Sequence, residues 1–152
     1  SDADLANRIQ PFFSKKGIDA PLDILVKIAP IIKERIVTLD ESVDLAGFFF
    51  MDGVYPVAEQ LIQKALSVDE TIKIIKDTLE ILGSEPTIEK EIIEPRMREY
   101  VESSGYSAGQ VFGIMRTAVT GQRVSPPLFE SMEIVGREVV LGRLNQAITL
   151  LL

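Results

Sequence analysis

The sequence predicts an all-α fold. Three observations carry that expectation: hydroxyl residues paired with acids or amides at helix-cap spacing, apolar residues recurring every three or four positions, and glycines closing such stretches. No segment shows the sustained apolar–polar alternation and turn chemistry of a sheet. With 152 residues, 46% of them hydrophobic, the chain can build one compact domain or two small packed subdomains.

In chain order, helices are expected over residues 3–16, 21–34, 39–50, 56–66, 68–82, 87–103, 108–120, 126–135 and 137–150. The second is rich in apolar residues from Ile24 to Ile32, and Pro30 should kink or split it by removing an amide donor. The third starts at a capping box, Thr38 with Glu41. Ser67 with Glu70 opens the fifth in the same way, and Ser107 with Gln110 the seventh. After Ser67, Val68, Ile72, Ile75, Leu79 and Leu82 form one apolar stripe, and Gly83 supplies the stop. Pro95 should kink or split the sixth helix, which Gly105 closes. Gly121 ends the seventh. Ser125 is expected to cap the eighth, with Pro126 at the first helical position, where its missing amide costs nothing. Val140, Leu144, Ala147, Ile148 and Leu151 mark one face of the last. The loop from Met51 to Pro56 is the best internal boundary, dividing a subdomain 1–58 from a subdomain 59–152.

Composition removes several function classes. The chain has no cysteine and no histidine, so disulfides, thiolate nucleophiles, imidazole bases and the usual zinc ligands are out of reach. Carboxylate pairs such as Glu91 with Glu94, or Glu99 with Glu102, read as a solvated face in the absence of a further ligand type. Gly109 and Gly113 lie within a helix without a following lysine, so they are not a phosphate loop. An independent hydrolase is hard to sustain on these residues. No run approaches a membrane span and no signal-peptide pattern opens the chain, which points to a cytosolic protein. A start at Ser1 points to processing or a cloned fragment.

The net charge of −7 argues against a broad nucleic-acid footprint, but the charge is unevenly spread. Residues 69–94 hold eight acids against three lysines, whereas residues 96–143 hold six arginines, no lysine and five acids. Arginine suits planar stacking and forked recognition of bases and phosphates. The stretch from Arg116 to Glu130, RTAVTGQRVSPPLFE, joins a helix end, a glycine stop, a loop and a helix start. It presents Arg116, Arg123, Ser125, Pro126, Pro127 and Leu128. Cationic forks, a helix N-terminus and a rigid apolar edge together suit unstacked RNA bases better than a small metabolite.

The same stretch resembles the C-terminal part of bacterial glutamyl-tRNA synthetases, through Thr120-Gly121 and Ser125-Pro126-Pro127-Leu128-Phe129-Glu130. Upstream, Lys33-Glu34-Arg35-Ile36-Val37-Thr38-Leu39 is similar to that family's basic threonine–leucine segment. Phe48-Phe49-Phe50 is similar to its aromatic run, and Gly136-Arg137-Glu138-Val139-Val140 with Leu144 to its closing helix. The resemblance covers essentially the whole chain in order. It implies the cage-like, all-α anticodon-binding region of that enzyme without the catalytic half.

The resemblance implies roles residue by residue. Arg35 would sit by the wobble position and favour glutamate over glutamine tRNA; its structural alternative is a helix-end cation. Arg116, nine residues before Ser125, would read a base edge or stack beneath it. Ser125, Pro126, Pro127 and Leu128 would contact the central anticodon bases, with Leu128 as the apolar contact and Phe129 in the core. Arg98 matches a further arginine near the anticodon. The three phenylalanines point in different directions on a helix and are expected to pack in the core. ATP, magnesium and glutamate would belong to the absent catalytic domain, so the fragment would need no cofactor and would catalyse nothing alone. The expected partner is glutamate tRNA, with no DNA or membrane role, and the chain is expected to be a monomer. The alternative is an acidic helical interaction domain whose groove takes a partner helix.

Overall fold

The computed structural model describes residues 1–152, and they form helices joined by loops, with no strand. The nine α-helices are α1 (Asp2–Lys15), α2 (Leu22–Ile32), α3 (Glu41–Ala46), α4 (Ala58–Leu61), α5 (Val68–Gly83), α6 (Lys90–Ser104), α7 (Ala108–Thr120), α8 (Leu128–Val135) and α9 (Arg137–Leu151). A 3₁₀ turn, Gly47–Phe50, continues α3.

Two apolar cores hold these helices together. The smaller is built on Ala6, Ile9 and Phe13 of α1, Leu25, Ile28 and Ile32 of α2, with Ala20 and Ala46. The larger gathers α5 to α9 around Leu61, Ile74, Ile75, Met97, Ile114, Met115, Met132 and Leu144. Helix α2 packs on α8 and Ile134 of α8 lies against the smaller core, so the two cores are in contact.

Two of the three anticipated capping boxes form. Ser67 and Glu70 exchange bonds at the start of α5, and Ser107 and Gln110 do so at α7. Gly105 and Gly121 close α6 and α7 in the left-handed conformation, where a Cβ would strain the backbone. Phe48 is buried, and the Phe13 and Phe50 rings meet edge-on at 5.4 Å, in keeping with core packing of the aromatic run.

Several local expectations fail for identifiable reasons. Thr38 does not cap α3. Its hydroxyl turns to the Asp40 carboxylate, while Glu41 reaches back to the Val37 amide at 2.7 Å. The helix expected over 56–66 is one turn, Ala58–Leu61. There the Gln63 side-chain amide donates to the Gln60 and Leu61 carbonyls, both at 3.0 Å, and Ala65 takes a left-handed φ of 68°. Pro30 and Pro95 lie inside helices that remain continuous elements. Gly83 is the last residue of α5 and Ser84 its cap, so the stop there is not a left-handed glycine.

Candidate RNA-reading junction

The loop between α7 and α8 is fixed from both sides. The Thr120 hydroxyl donates to the Arg116 carbonyl at 2.7 Å and accepts from the Gln122 amide at 3.1 Å. Gly121, at φ 75°, lets the chain turn away; a Cβ there would come within 3.1 Å of Val54. The Gln122 side chain then donates to the Asp44 carbonyl at 3.0 Å, tying the loop to α3. This bond spans the two cores.

Its consequence is to bring the Arg35 segment beside the loop. Arg35, Ile36, Glu41, Asp44, Leu45, Gln122 and Val124 line one cavity of about 290 Å³. Arg116 faces the same region. Burial lowers the affinity of its guanidinium for a proton, and the charge of Arg35 lowers it further. Neither arginine forms an ion pair with an acid. Two like charges are thus near enough to oppose one another, while the carboxylates of Glu41 and Asp44 line the cavity beside Arg35. Arg116 makes a single side-chain bond, from Nε to Ser125 Oγ at 3.0 Å, leaving its two terminal nitrogens for another acceptor.

Other expected site residues are placed differently. Ser125 does not cap α8: its hydroxyl takes the Arg116 bond and donates to the Pro126 carbonyl at 2.7 Å. Pro126 is buried and precedes the helix, which starts at Leu128 with Pro127 in the cap position and no side-chain cap. Leu128 is only 4% exposed and belongs to the larger core, so its side chain is not an open apolar edge. Phe129 is buried too, with its ring edge-on to Phe112 at 5.3 Å. The exposed apolar side chain of the loop is Val124, 75% exposed.

Arg98 stands apart from the other two. Glu94, one turn earlier on α6, holds it at 2.9 Å, and its guanidinium lies over the Phe112 ring at 5.3 Å. Phe112 is one turn before Arg116 on α7, so Arg98 reaches the junction only through that ring. Sequence reasoning missed Gln122, Val124 and Arg143. Val124 alone carried a local signal, as a single apolar residue between polar loop neighbours. Arg143 is 6% exposed and donates to the carbonyls of Val119 at 2.8 Å, Phe48 at 3.0 Å and Met51 at 2.9 Å.

No group of three histidine, cysteine, aspartate or glutamate side chains is placed to hold a metal ion, and no helix is long and apolar enough to cross a membrane. The all-α fold and this arginine junction define a helical recognition domain. The chain belongs to the anticodon binding domain family, whose sequence profile matches residues 4–148. Its relatives are glutamate–tRNA ligases. That of Dehalococcoides mccartyi (strain ATCC BAA-2266) is 36% identical, over 97% of this chain and 32% of the relative. That of Porphyromonas gingivalis (strain ATCC 33277) is 30% identical, over 99% of this chain and 29% of the relative. The chain therefore spans about a third of the relatives it matches, the anticodon-binding part.

Solved structures agree on the fold. A glutamate tRNA ligase from Elizabethkingia meningosepticum superposes with a TM-score of 0.81 at 21% identity, covering 100% of this chain and 30% of that one. The glutamate-tRNA synthetase of Elizabethkingia anophelis gives 0.76 at 20% identity, covering 98% of this chain and 28% of that one. The family match and the sequence relatives favour the anticodon-binding reading over the interaction-domain alternative.

Proposed function

We propose that this chain is the anticodon-reading region of a glutamate–tRNA ligase and binds the anticodon stem-loop of glutamate tRNA. The observation that carries this reading is the nearness of Arg35 and Arg116, neither of them in an ion pair, at the loop tied down by Gln122. In this reading Arg116 presents its terminal nitrogens to the third anticodon base and Arg35 meets the wobble base. Ser125 sets the angle of the Arg116 fork. Pro126, Pro127 and Leu128 act through their backbone and the uncapped start of α8, because the side chains of Pro126 and Leu128 are buried. Val124 takes the apolar contact, and Arg98 supports the site from behind Phe112.

The remainder of the ligase would supply ATP, magnesium and glutamate chemistry, so the isolated chain should show no glutamate-dependent ATP–pyrophosphate exchange. Residues 1–58 and 59–152 act as two subdomains, with the junction where they meet. The protein is read as a cytoplasmic monomer. The test is a titration of the chain with an unmodified glutamate tRNA stem-loop and with one of altered anticodon. Clear preference for the first is expected; equal affinity for both would refute anticodon reading.

A further inference from the structure

A second cavity, this one basic, adjoins the junction. It measures about 460 Å³ and is lined by Ile62, Gln63, Lys64, Gly113, Thr117 and Arg123. On α7, Gly113 and Thr117 share one face, next to the face that carries Phe112 and Arg116. Arg123 belongs to the same loop as Gln122 and Ser125. Lys64 and Arg123 are exposed, neither forms an ion pair, and no carboxylate lines the cavity. In a chain of net charge −7, such a place runs against the background.

The segment bearing Lys64 is held there at a cost. Ala65, the one non-glycine residue with positive φ, sits at 68°, where its Cβ crowds the backbone. Gln110 of α7 donates to the Lys64 carbonyl at 2.9 Å. Gln63 lies so close to α7 that a Cβ on Gly113 would fall 2.5 Å from its Oε1. Backbone strain of this kind persists where the surroundings impose it, and it clusters at binding sites.

We infer that this cavity is a phosphate clamp, in which Lys64 and Arg123 hold a backbone phosphate of the RNA strand whose bases meet Arg35 and Arg116. The inference rests on the anticodon reading and extends it. Phosphate contacts set register while base contacts specify sequence, so the two cavities divide those tasks across one helix.

The test compares the full chain with Lys64→Gln, Arg123→Gln and the double variant, each verified as folded by circular dichroism. All four are titrated with the glutamate stem-loop and an anticodon-altered one across a salt series. Each single-strand phosphate contact contributes about −0.7 to the slope of log affinity against log salt. The double variant should have a slope shallower than the wild type by about 1.4, the share of two phosphate contacts. Its affinity at low salt should fall about tenfold for both stem-loops alike, leaving their ratio unchanged. If the wild type discriminates between stem-loops but the double variant keeps the full slope, the clamp is refuted and the anticodon reading stands. If the double variant loses discrimination instead, Lys64 and Arg123 read bases and the clamp is again refuted. A wild type that binds neither stem-loop overturns both proposals together.

Discussion

Arg143 and Arg116 are both arginines pressed into the protein, yet their surroundings differ in one decisive way. Arg143 spends its terminal nitrogens on three backbone carbonyls, those of Val119, Phe48 and Met51. Arg116 spends one nitrogen on Ser125 and faces a second cation, Arg35. Burial weakens proton affinity in both; only Arg116 is opposed by a like charge as well. Arg143 is therefore a bolt, joining residues far apart in the chain. Arg116 is an open fork held in position. The number of donors already consumed, more than burial, separates a structural arginine from a recognition arginine.

The sharpest way to break this contrast is Arg143→Ala. It leaves three inward-facing carbonyls without their donor, and stability should drop by roughly 3 kcal/mol or more. Urea denaturation followed by circular dichroism measures this, and a loss under about 1 kcal/mol would mean the bolt carries no weight. Arg143→Lys should rescue little, since an ammonium cannot reproduce the planar fork.

Gly121→Ala tests the backbone that both arginines share, because α7 carries Arg116 and Val119 just before its end. A Cβ at positive φ and 3.1 Å from Val54 should cost about 1–2 kcal/mol in thermal or urea unfolding. RNA affinity should fall with it, as the loop bearing Ser125 shifts. An unaltered Tm together with unaltered affinity would contradict the idea that this turn sets the junction.

A smaller effect belongs to neither region and sets the floor for polar contacts at the surface. Glu70 is held below its ordinary value of 4.5, first by the Ser67 backbone amide and then by the Ser67 hydroxyl, with Tyr106 adding a weaker bond. A carboxylate lowered on folding adds stability above its unfolded value, and the gain disappears as pH falls through the lowered one. Stability should decline below about pH 4.5, and Glu70→Gln should flatten that part of the profile. Identical acid profiles for the two proteins would remove the capping box from the account of α5.

What was legible in the sequence was local. The Ser67 and Ser107 boxes and the closing glycines at 105 and 121 each involve residues within a turn or two, and all form. The stripe of α5 is only partly right: Ile75 and Leu82 are buried, but Thr71, Ile74 and Thr78 complete the inward face while Val68 is exposed. Local signals misled where a nearer partner intervened: Asp40 took the Thr38 hydroxyl, and the Gln63 amide ended α4 early. The candidate site was legible as an inventory of arginines but not as an arrangement. Gln122 meets Asp44 across 78 positions, and Arg143 meets Phe48 across 95, distances over which no periodicity speaks. Exposure was equally hidden. Leu128 and Val124 are both apolar and four residues apart, and only packing decides which one faces outward.

The account stands or falls on whether Arg116 and Arg35 are forks for particular bases. The direct measurement is a double-mutant cycle pairing Arg116→Ala with a changed third anticodon base, and Arg35→Gln with a changed wobble base. Arg116→Ala should cost about 1–3 kcal/mol in binding the cognate stem-loop, with most of that loss vanishing when the third base is already changed. Arg35→Gln should leave folding unaltered and narrow the preference for the glutamate over the glutamine anticodon. Coupling energies near zero for both pairs, in variants folded by circular dichroism, would make these arginines structural residues like Arg143.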